Sequence, residues 1–297
     1  MLYEREKQLM GLLDALGGSM PALDFQKLLF LFCREAEEIP SYSFVPYRFG
    51  AFSFTSYADK RRLIAAGLLE EDDRTWQLTE AGRLAVRKLS GKPGGLSLFL
   101  QRHAQLRGNA LIEETYRRYP YYAIRSEMLG RLRLDADALR RIGAARPPLT
   151  GNGLLTIGYE GRNLEEYLNL LIRDGVNVLC DVRRNPLSRK YGFAKNTLGN
   201  ACQNVGIRYE HLPELGIPSQ ERRGLETQAD YKALFASYCR DSLPMQTEAL
   251  AKIQDWIDRG ERVALTCYEK LPEQCHRHCV AEAVQSKSHN LHGVKHL

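Results

Sequence analysis

The chain has 297 residues, 44% hydrophobic and 26% charged, which suits a soluble globular protein of two domains. No apolar run is long enough to cross a bilayer, and the start "MLYEREKQLM" lacks the basic-then-apolar layout of a secretory signal, so no membrane association and a cytoplasmic location are expected. The net charge of +6 is uneven: residues 1–92 hold 13 basic against 13 acidic side chains, residues 93–150 hold 10 against 5, and residues 151–297 hold 19 against 18. The excess therefore sits in the middle segment, carried by arginine, and makes that segment the best electrostatic footprint for a polyanion.

In chain order, "EREKQLMGLLDALGG" places leucines at helical spacing and stops at a glycine pair. "ALDFQKLLFLFCREAEE" predicts a second helix, and "SFVPYRFGAFSF", with Pro46, an extended or loop segment. "TSYADKRRLIAAGLLEE" predicts a third helix, entered by Thr55 or Ser56 and ended at Gly67. "DDRTWQLTEAGRLAVRKL" predicts a short strand, then a helix capped by Thr79. Three helices followed by a "GLLEE…WQLTEAG" hairpin is a winged-helix layout. With its "VPYRFGAFS" turn, this stretch resembles the small winged-helix-like domains related to the Panacea antitoxin domain. Winged helices read DNA with their third helix, which here carries Lys60, Arg61 and Arg62, and antitoxin-type ones also bind partner proteins. Both uses stay open for residues 1–92.

Residues 93–150 read as a basic helical connector. "YPYYAIRSEM" follows Arg117 and Arg118 and contains Arg125, and arginines among tyrosines suit stacking on single-stranded bases; the competing reading is a tyrosine-rich packing interface. "RPPLTGNG" has the composition of a linker.

From residue 151 the rhythm changes. "LLTIGYEG", "VNVLCDVRR", "IRYEHLPEL" and "RVALTCYEK" are strand-like runs, separated by amphipathic helices such as "NLEEYLNLLIRDG" and "MQTEALAKIQDWIDRG", and "GVKHL" is a short last strand. The expected class is therefore α/β, with a mainly parallel sheet covered by helices on both faces, preceded by the winged-helix-like α+β domain and the helical connector. In such a sheet, ligands sit beyond the carboxyl ends of the strands. Three of those ends carry polar groups: Tyr159, Glu160 and Arg162; Asp181, Arg183, Arg184, Ser188 and Arg189; and Cys267, Glu269, Cys275, His276 and Arg277, with Tyr209 on the remaining strand.

"TIGYEGR", "CDVRRNPLSRKYGFAK", "IRYEHLPELG" and "VALTCYEKLPEQCHRHCVAE" together resemble a bacterial and archaeal family known as domain of unknown function 488, over about Leu154 to Leu297. The resemblance implies family positions at Tyr159, Glu160, Gly161, Asp181, Arg183, Pro186, Ser188, Tyr209, Leu212, Gly216, Cys267, Glu269, Cys275, His276 and Arg277, and implies no reaction.

The stretch "CYEKLPEQCHRHC" admits four readings. Zinc needs about four ligands, commonly in short cysteine pairs; the resemblance asks for Cys275-His276-Arg277 but not for His278 or Cys279, which weakens a metal reading, and no metal ligand is assigned. A nucleophilic thiol needs a lowered pKa, which a helix start and a neighbouring cation supply to Cys275. An anion turn uses the same helix start, with Arg183, Arg184, Arg189 and Arg277 as clamps, Tyr159, Arg162, Ser188, Tyr209 and Cys267 as further ligand contacts, and Glu160, Asp181 and Glu269 as acid/base groups. The fourth reading is a polar network that only fixes loops. The seven cysteines are odd in number, several lie inside apolar runs, and all are read as reduced.

The expectation is a protein acting on nucleic acid or nucleotide, with hydrolysis as the first guess at a reaction and no cofactor named. A non-enzymatic nucleotide sensor with an antitoxin-like DNA-binding module, or a structural partner in a defence or repair complex, are the alternatives.

Overall fold

The computed structural model describes every residue except 90–92, 148–150, 219, 222–223, 289–290 and 292. The chain divides into two units, Met1–Arg146 and Pro147–Leu297. The core of the expected linker, 148–150, lies outside the described residues.

The first unit runs α1 (Glu4–Ala15), β1 (Ser19–Pro21), α2 (Ala22–Glu35), β2 (Val45–Tyr47), β3 (Gly50–Phe52), α3 (Phe54–Ala65), β4 (Thr75–Gln77), α4 (Glu80–Arg87), α5 (Leu96–His103), α6 (Gly108–Arg118) and α7 (Ala136–Ala144). Helix α2 is its axis. Asp24 through Cys33 are buried without a break, so this helix is packed on all sides rather than along one stripe. β1 pairs antiparallel with β4, placing Met20 opposite Trp76, and β2–β3 form a separate antiparallel hairpin. Thr79 caps α4 as expected, accepting from Gly82 N–H. Helix α3 is capped two or three residues earlier than its sequence suggests. Ser53, in extended backbone, accepts from Ser56 N–H, and Thr55 and Ser56 lie inside the helix.

The basic segment belongs to this unit's core. Phe99 of α5 meets Phe32 edge-on at 5.2 Å, and Tyr119 and Tyr122 flank Phe30 at 5.1 and 4.6 Å. Tyr116 and Tyr122 are buried. Of the two readings of the tyrosine-rich run, packing therefore accounts for these two rings.

The second unit runs β5 (Gly153–Gly158), α8 (Leu164–Arg173), β6 (Val178–Asp181), α9 (Lys195–Asn204), β7 (Arg208–His211), α10 (Gln228–Ser237), α11 (Thr247–Asp258), β8 (Arg262–Cys267), α12 (Arg277–Lys287) and β9 (Val294–His296). Its sheet has the order β7-β6-β8-β5-β9, and every described pairing is parallel. Alternation along the strands sorts the side chains onto two faces. Val178, Cys180, Val263 and Leu265 pack with Leu250, Ile253, Val280 and Val284 of α11 and α12. On the opposite face Tyr167 of α8 donates to Thr266 Oγ1 at 2.7 Å, and Gly199 of α9 lies against the ring of Tyr209. Neighbouring strands β5 and β8 thus lead into helices on opposite faces, the topological switch at which open α/β sheets bind ligands.

One buried cation in the first unit makes its stability pH-dependent. Lys27 lies fully inside and donates to Ala51 O at 3.0 Å; burial lowers its pKa from 10.5 to about 7, partly offset by Asp24. A lysine whose folded pKa is depressed favours the folded state above its unfolded pKa and loses that advantage as pH falls through the folded value. The unit should gain stability, on the order of 2 kcal/mol, between pH 7 and pH 8.5, below the range in which the buried Cys33 thiol acts in the opposite direction. Urea unfolding should show that gain in the wild type and its loss in Lys27→Met.

Candidate functional site

The second unit carries its polar groups at the carboxyl ends of β5, β6 and β8. Asp181, the last residue of β6, is 0% exposed. It faces the α8–α9 side and is held by one arginine two residues on. Arg183 Nε donates to Asp181 Oδ1 at 2.8 Å and Nη2 to Oδ2 at 2.5 Å, a two-pronged fork. Arg183 N–H also reaches Oδ1 at 3.1 Å, and Tyr209 O–H donates to Oδ2 at 2.6 Å. Nη1 of Arg183 turns away, donating to Tyr159 Oη at 3.0 Å and Phe193 O at 2.9 Å. Burial works against the charge of Arg183, but the bonds and charge of Asp181 win and raise its pKa. Burial first, then the charge of Asp181, pushes up the Tyr209 phenol, so it stays a neutral donor.

This arrangement corrects two expectations. Asp181, placed in the sequence among acid/base groups, already accepts four hydrogen bonds and is enclosed, so it is an anchor for Arg183 rather than a proton carrier. Arg277, expected as an anion clamp, is 0% exposed and donates to the carbonyls of Glu269 and, at 2.9 Å, Lys270. It braces the turn after β8.

That turn also depends on Gly158. A Cβ there would lie 1.8 Å from Glu269 O, and one at Gly216 would lie 2.1 Å from Arg184 N. The two glycines let the loops after β8 and β7 close onto the ends of β5 and β6. Glu160 ties the same region together, its amide donating to Tyr268 O and its carboxylate accepting from Lys270 N–H, both at 2.9 Å. Arg162 donates to Gly158 O at 3.1 Å, and burial, then nearby Arg277, lowers its pKa.

Between these loops opens a cleft of about 530 Å³. Arg183 and Tyr159 form its inner wall, and Cys267, Tyr268 and Glu269 another. Arg184, Ser188, Arg189 and Lys190 form its rim, with Arg184 and Arg189 exposed to solvent. Among the described residues, the cleft is lined by four basic side chains, of which Arg183 is paired with Asp181, and by one carboxylate, Glu269. Tyr159 is stacked on Phe193 with ring centres 4.4 Å apart, so it is a fixed wall rather than a mobile platform. Lys190 escaped the reading of the sequence; it donates to Tyr159 O at 3.0 Å, and burial lowers its pKa. The signal for it was its place in "NPLSRKYG", a polar loop leaving a strand end.

The cysteine-histidine stretch is arranged differently from the expected helix start. Pro272–Gln274 form a 3₁₀ turn, Cys275 is extended, and α12 begins only at Arg277. The His278 amide, in the helix's first turn, donates to Cys275 O at 3.2 Å. Burial first, and then Cys267, pushes the Cys275 thiol well up, the reverse of what a nucleophilic thiol needs. Cys267, Cys275 and His276 offer three metal-ligand atoms within 4.8 Å of one another, all buried. His278 and Cys279 pair with each other instead, Sγ to Nε2 at 3.4 Å.

Residues 163–284 match the model of the family described as Domain of unknown function DUF488. No curated protein and no solved structure matches the chain significantly. The DUF488 match takes in Asp181, Arg183, Arg184, Ser188, Arg189, Tyr209, Cys267, Glu269, Cys275, His276 and Arg277, and begins just after Tyr159, Glu160 and Arg162. The structure brings most of both groups to the same sheet edge.

The polyanion candidates of the first unit are largely engaged. Lys60 is 4% exposed, its ammonium donating to the carbonyls of Asp72 and, at 2.7 Å, Thr75. It closes a turn and does not reach a phosphate. Arg62 forks onto Glu6 at 2.7 and 2.8 Å, Arg118 meets Glu35 at 2.8 Å, and Arg117 donates to Arg133 O at 2.6 Å. Arg125 is half-buried, which lowers its pKa. Arg61 is exposed.

The Gly158 contact is open to a direct check. Gly158→Ala should destabilise the protein by about 3 kcal/mol or more, because the obstacle is a backbone carbonyl that Arg277 holds in place. Chemical unfolding reads the change; a variant as stable as wild type would show that the turn moves freely.

Proposed function

We propose that the second unit binds a phosphate-bearing ligand, a nucleic acid or a nucleotide, in the cleft beyond β5, β6 and β8, and hydrolyses a bond in it. The observation that carries the reading is the charge of the cleft's described lining: Arg184, Arg189 and Lys190 against the carboxylate of Glu269, with Arg183 balanced by Asp181 behind it. Paired N–H donors of arginine suit phosphate oxygens, and the exposed Arg184 and Arg189 can offer them, while Arg183, engaged by Asp181, Tyr159 and Phe193 O, fixes the wall behind them. With Asp181 occupied and Glu160 tied to the Lys270 amide, Glu269 is the carboxylate best placed in the cleft for acid/base work.

The first unit, read as winged-helix-like, serves as the targeting part of the protein. Its third helix favours a partner protein over DNA, because Lys60 is buried and Arg62 is paired with Glu6. A non-enzymatic sensor would use the same cleft, and removal of the carboxylate separates the two readings.

Purified protein titrated with single-stranded DNA, duplex DNA and RNA at two salt concentrations should bind at least one of them, more weakly at high salt. Arg184→Gln and Arg189→Gln should each weaken binding several-fold and reduce the salt slope by about 1. Glu269→Gln should abolish turnover and leave binding intact. Binding that is indifferent to both arginines would remove the cleft from the account.

A further inference from the structure

Cys267 ends β8 on the α11–α12 face of the sheet, Cys275 sits in the extended stretch before α12, and His276 follows it. The two sulfurs lie 3.8 and 3.9 Å from His276 Nδ1. The other ring nitrogen, Nε2, lies 2.9 Å from the carbonyl oxygen of Val182. A carbonyl only accepts, so Nε2 carries the proton and Nδ1 presents its lone pair to the two sulfurs. A ligating histidine has this same arrangement, with its remote N–H held by a backbone carbonyl and the near nitrogen kept basic. One lone pair facing two sulfurs suits a cation that all three atoms share better than it suits a hydrogen bond to either thiol.

The distances agree. With metal–sulfur bonds of about 2.3 Å and a metal–nitrogen bond of about 2.0–2.1 Å, a tetrahedral zinc holds sulfur and nitrogen roughly 3.6 Å apart. The observed separations are a few tenths of an ångström wider, within the reach of a side-chain adjustment. Two thiolates and one imidazole select a borderline-soft divalent cation over magnesium or calcium. They also leave one position of a tetrahedron to another ligand. Cys267 lines the cleft as well as the cluster, while Cys275 and His276 are buried, so the cleft is the side from which the fourth position would be approached.

We propose that Cys267 Sγ, Cys275 Sγ and His276 Nδ1 form a three-ligand site for a zinc-class divalent cation at the floor of the cleft, its fourth position open to water or to an oxygen of a bound ligand. The sequence obscures this site because its ligands come from a strand end and a loop, eight and nine residues apart, rather than from a short cysteine pair. The metal site stands on its own geometry and does not require that the ligand be a phosphate.

The test is metal content of the full-length protein, purified under reducing conditions and reconstituted with zinc or cobalt(II). One metal ion per chain is expected. The wild-type cobalt protein should show thiolate-to-cobalt charge-transfer absorption and the intense visible bands of four-coordination, and inorganic phosphate or azide should shift those bands through the open position. That spectrum needs no variant, so it does not depend on how substitutions fold. Cys267→Ser, Cys275→Ser and His276→Ala should each lower the bound metal at least tenfold, whereas Cys279→Ser should leave it unchanged. No metal after reconstitution, a cobalt spectrum without thiolate bands, or a Cys267–Cys275 disulfide in metal-free protein kept under reducing conditions would overturn the site. Bands that ignore phosphate and azide would overturn the open position.

Discussion

The site depends first on one buried ion pair. Asp181 closes strand β6 and grips Arg183 through both carboxylate oxygens, and Arg183 reaches on to Tyr159 and to the carbonyl of Phe193. Three chain segments, the ends of β5 and β6 and the loop before α9, are thereby fastened to one guanidinium. Taking two charges out of water is costly, and such a pair persists only where its geometry is good and its remaining hydrogen-bonding groups are met. Here Tyr209 and the Arg183 amide meet the carboxylate. A pair of this kind adds little net stability over an apolar substitute, but removing one partner strands the other charge, at about 3–5 kcal/mol. Its contribution is positional: it fixes the cleft wall behind the exposed Arg184 and Arg189.

The two faces of the sheet supply different chemistry to one edge. On the α8–α9 face stand Asp181, Arg183 and Tyr209, hard oxygen and nitrogen groups in an ion-pair network. On the α11–α12 face stand Cys267 and, beyond it, Cys275 and His276, a soft donor set. Strand alternation separates them, and the switch between β5 and β8 brings them back together at the strand ends. Arg183 and Cys267 are the members of each set that line the cleft. Arg277, buried behind the turn after β8, holds Glu269 and Lys270 by their carbonyls and so shapes the side on which the two sets meet.

Much of this was legible in the sequence. The apolar runs around Leu154, Val178 and Val263 mark strands buried on both faces, and parallel order follows from the helices between them. The convergence of Tyr159, Arg183, Arg184, Arg189 and Glu269 follows from the rule for strand ends alone. Roles were not legible, because they depend on direction. Asp181 reads as a free carboxylate until Arg183 is seen to fold back onto it. Arg277 reads as a clamp until its helix is seen to point it inward, and Cys275 as an activated thiol until it proves buried, ahead of the helix and beside a second thiol. In the first unit, net charge drew attention to the arginines of residues 93–146, while Tyr116 and Tyr122 decide that segment's place by packing into the core. A composition count sees the first and not the second.

The most direct test of the central claim is a double-mutant cycle on Asp181 and Arg183. Asp181→Asn, Arg183→Met and the double variant would be compared with wild type by native-state hydrogen exchange of the full-length chain, read on peptides covering β6 and β8. Each single change should lower the opening free energy by about 3 kcal/mol or more, and the double variant should lose far less than the sum, since removing both charges leaves neither stranded. Additive losses, or single variants with wild-type protection, would contradict that claim: the fork would then be one contact among many, and the cleft would be organised by something else.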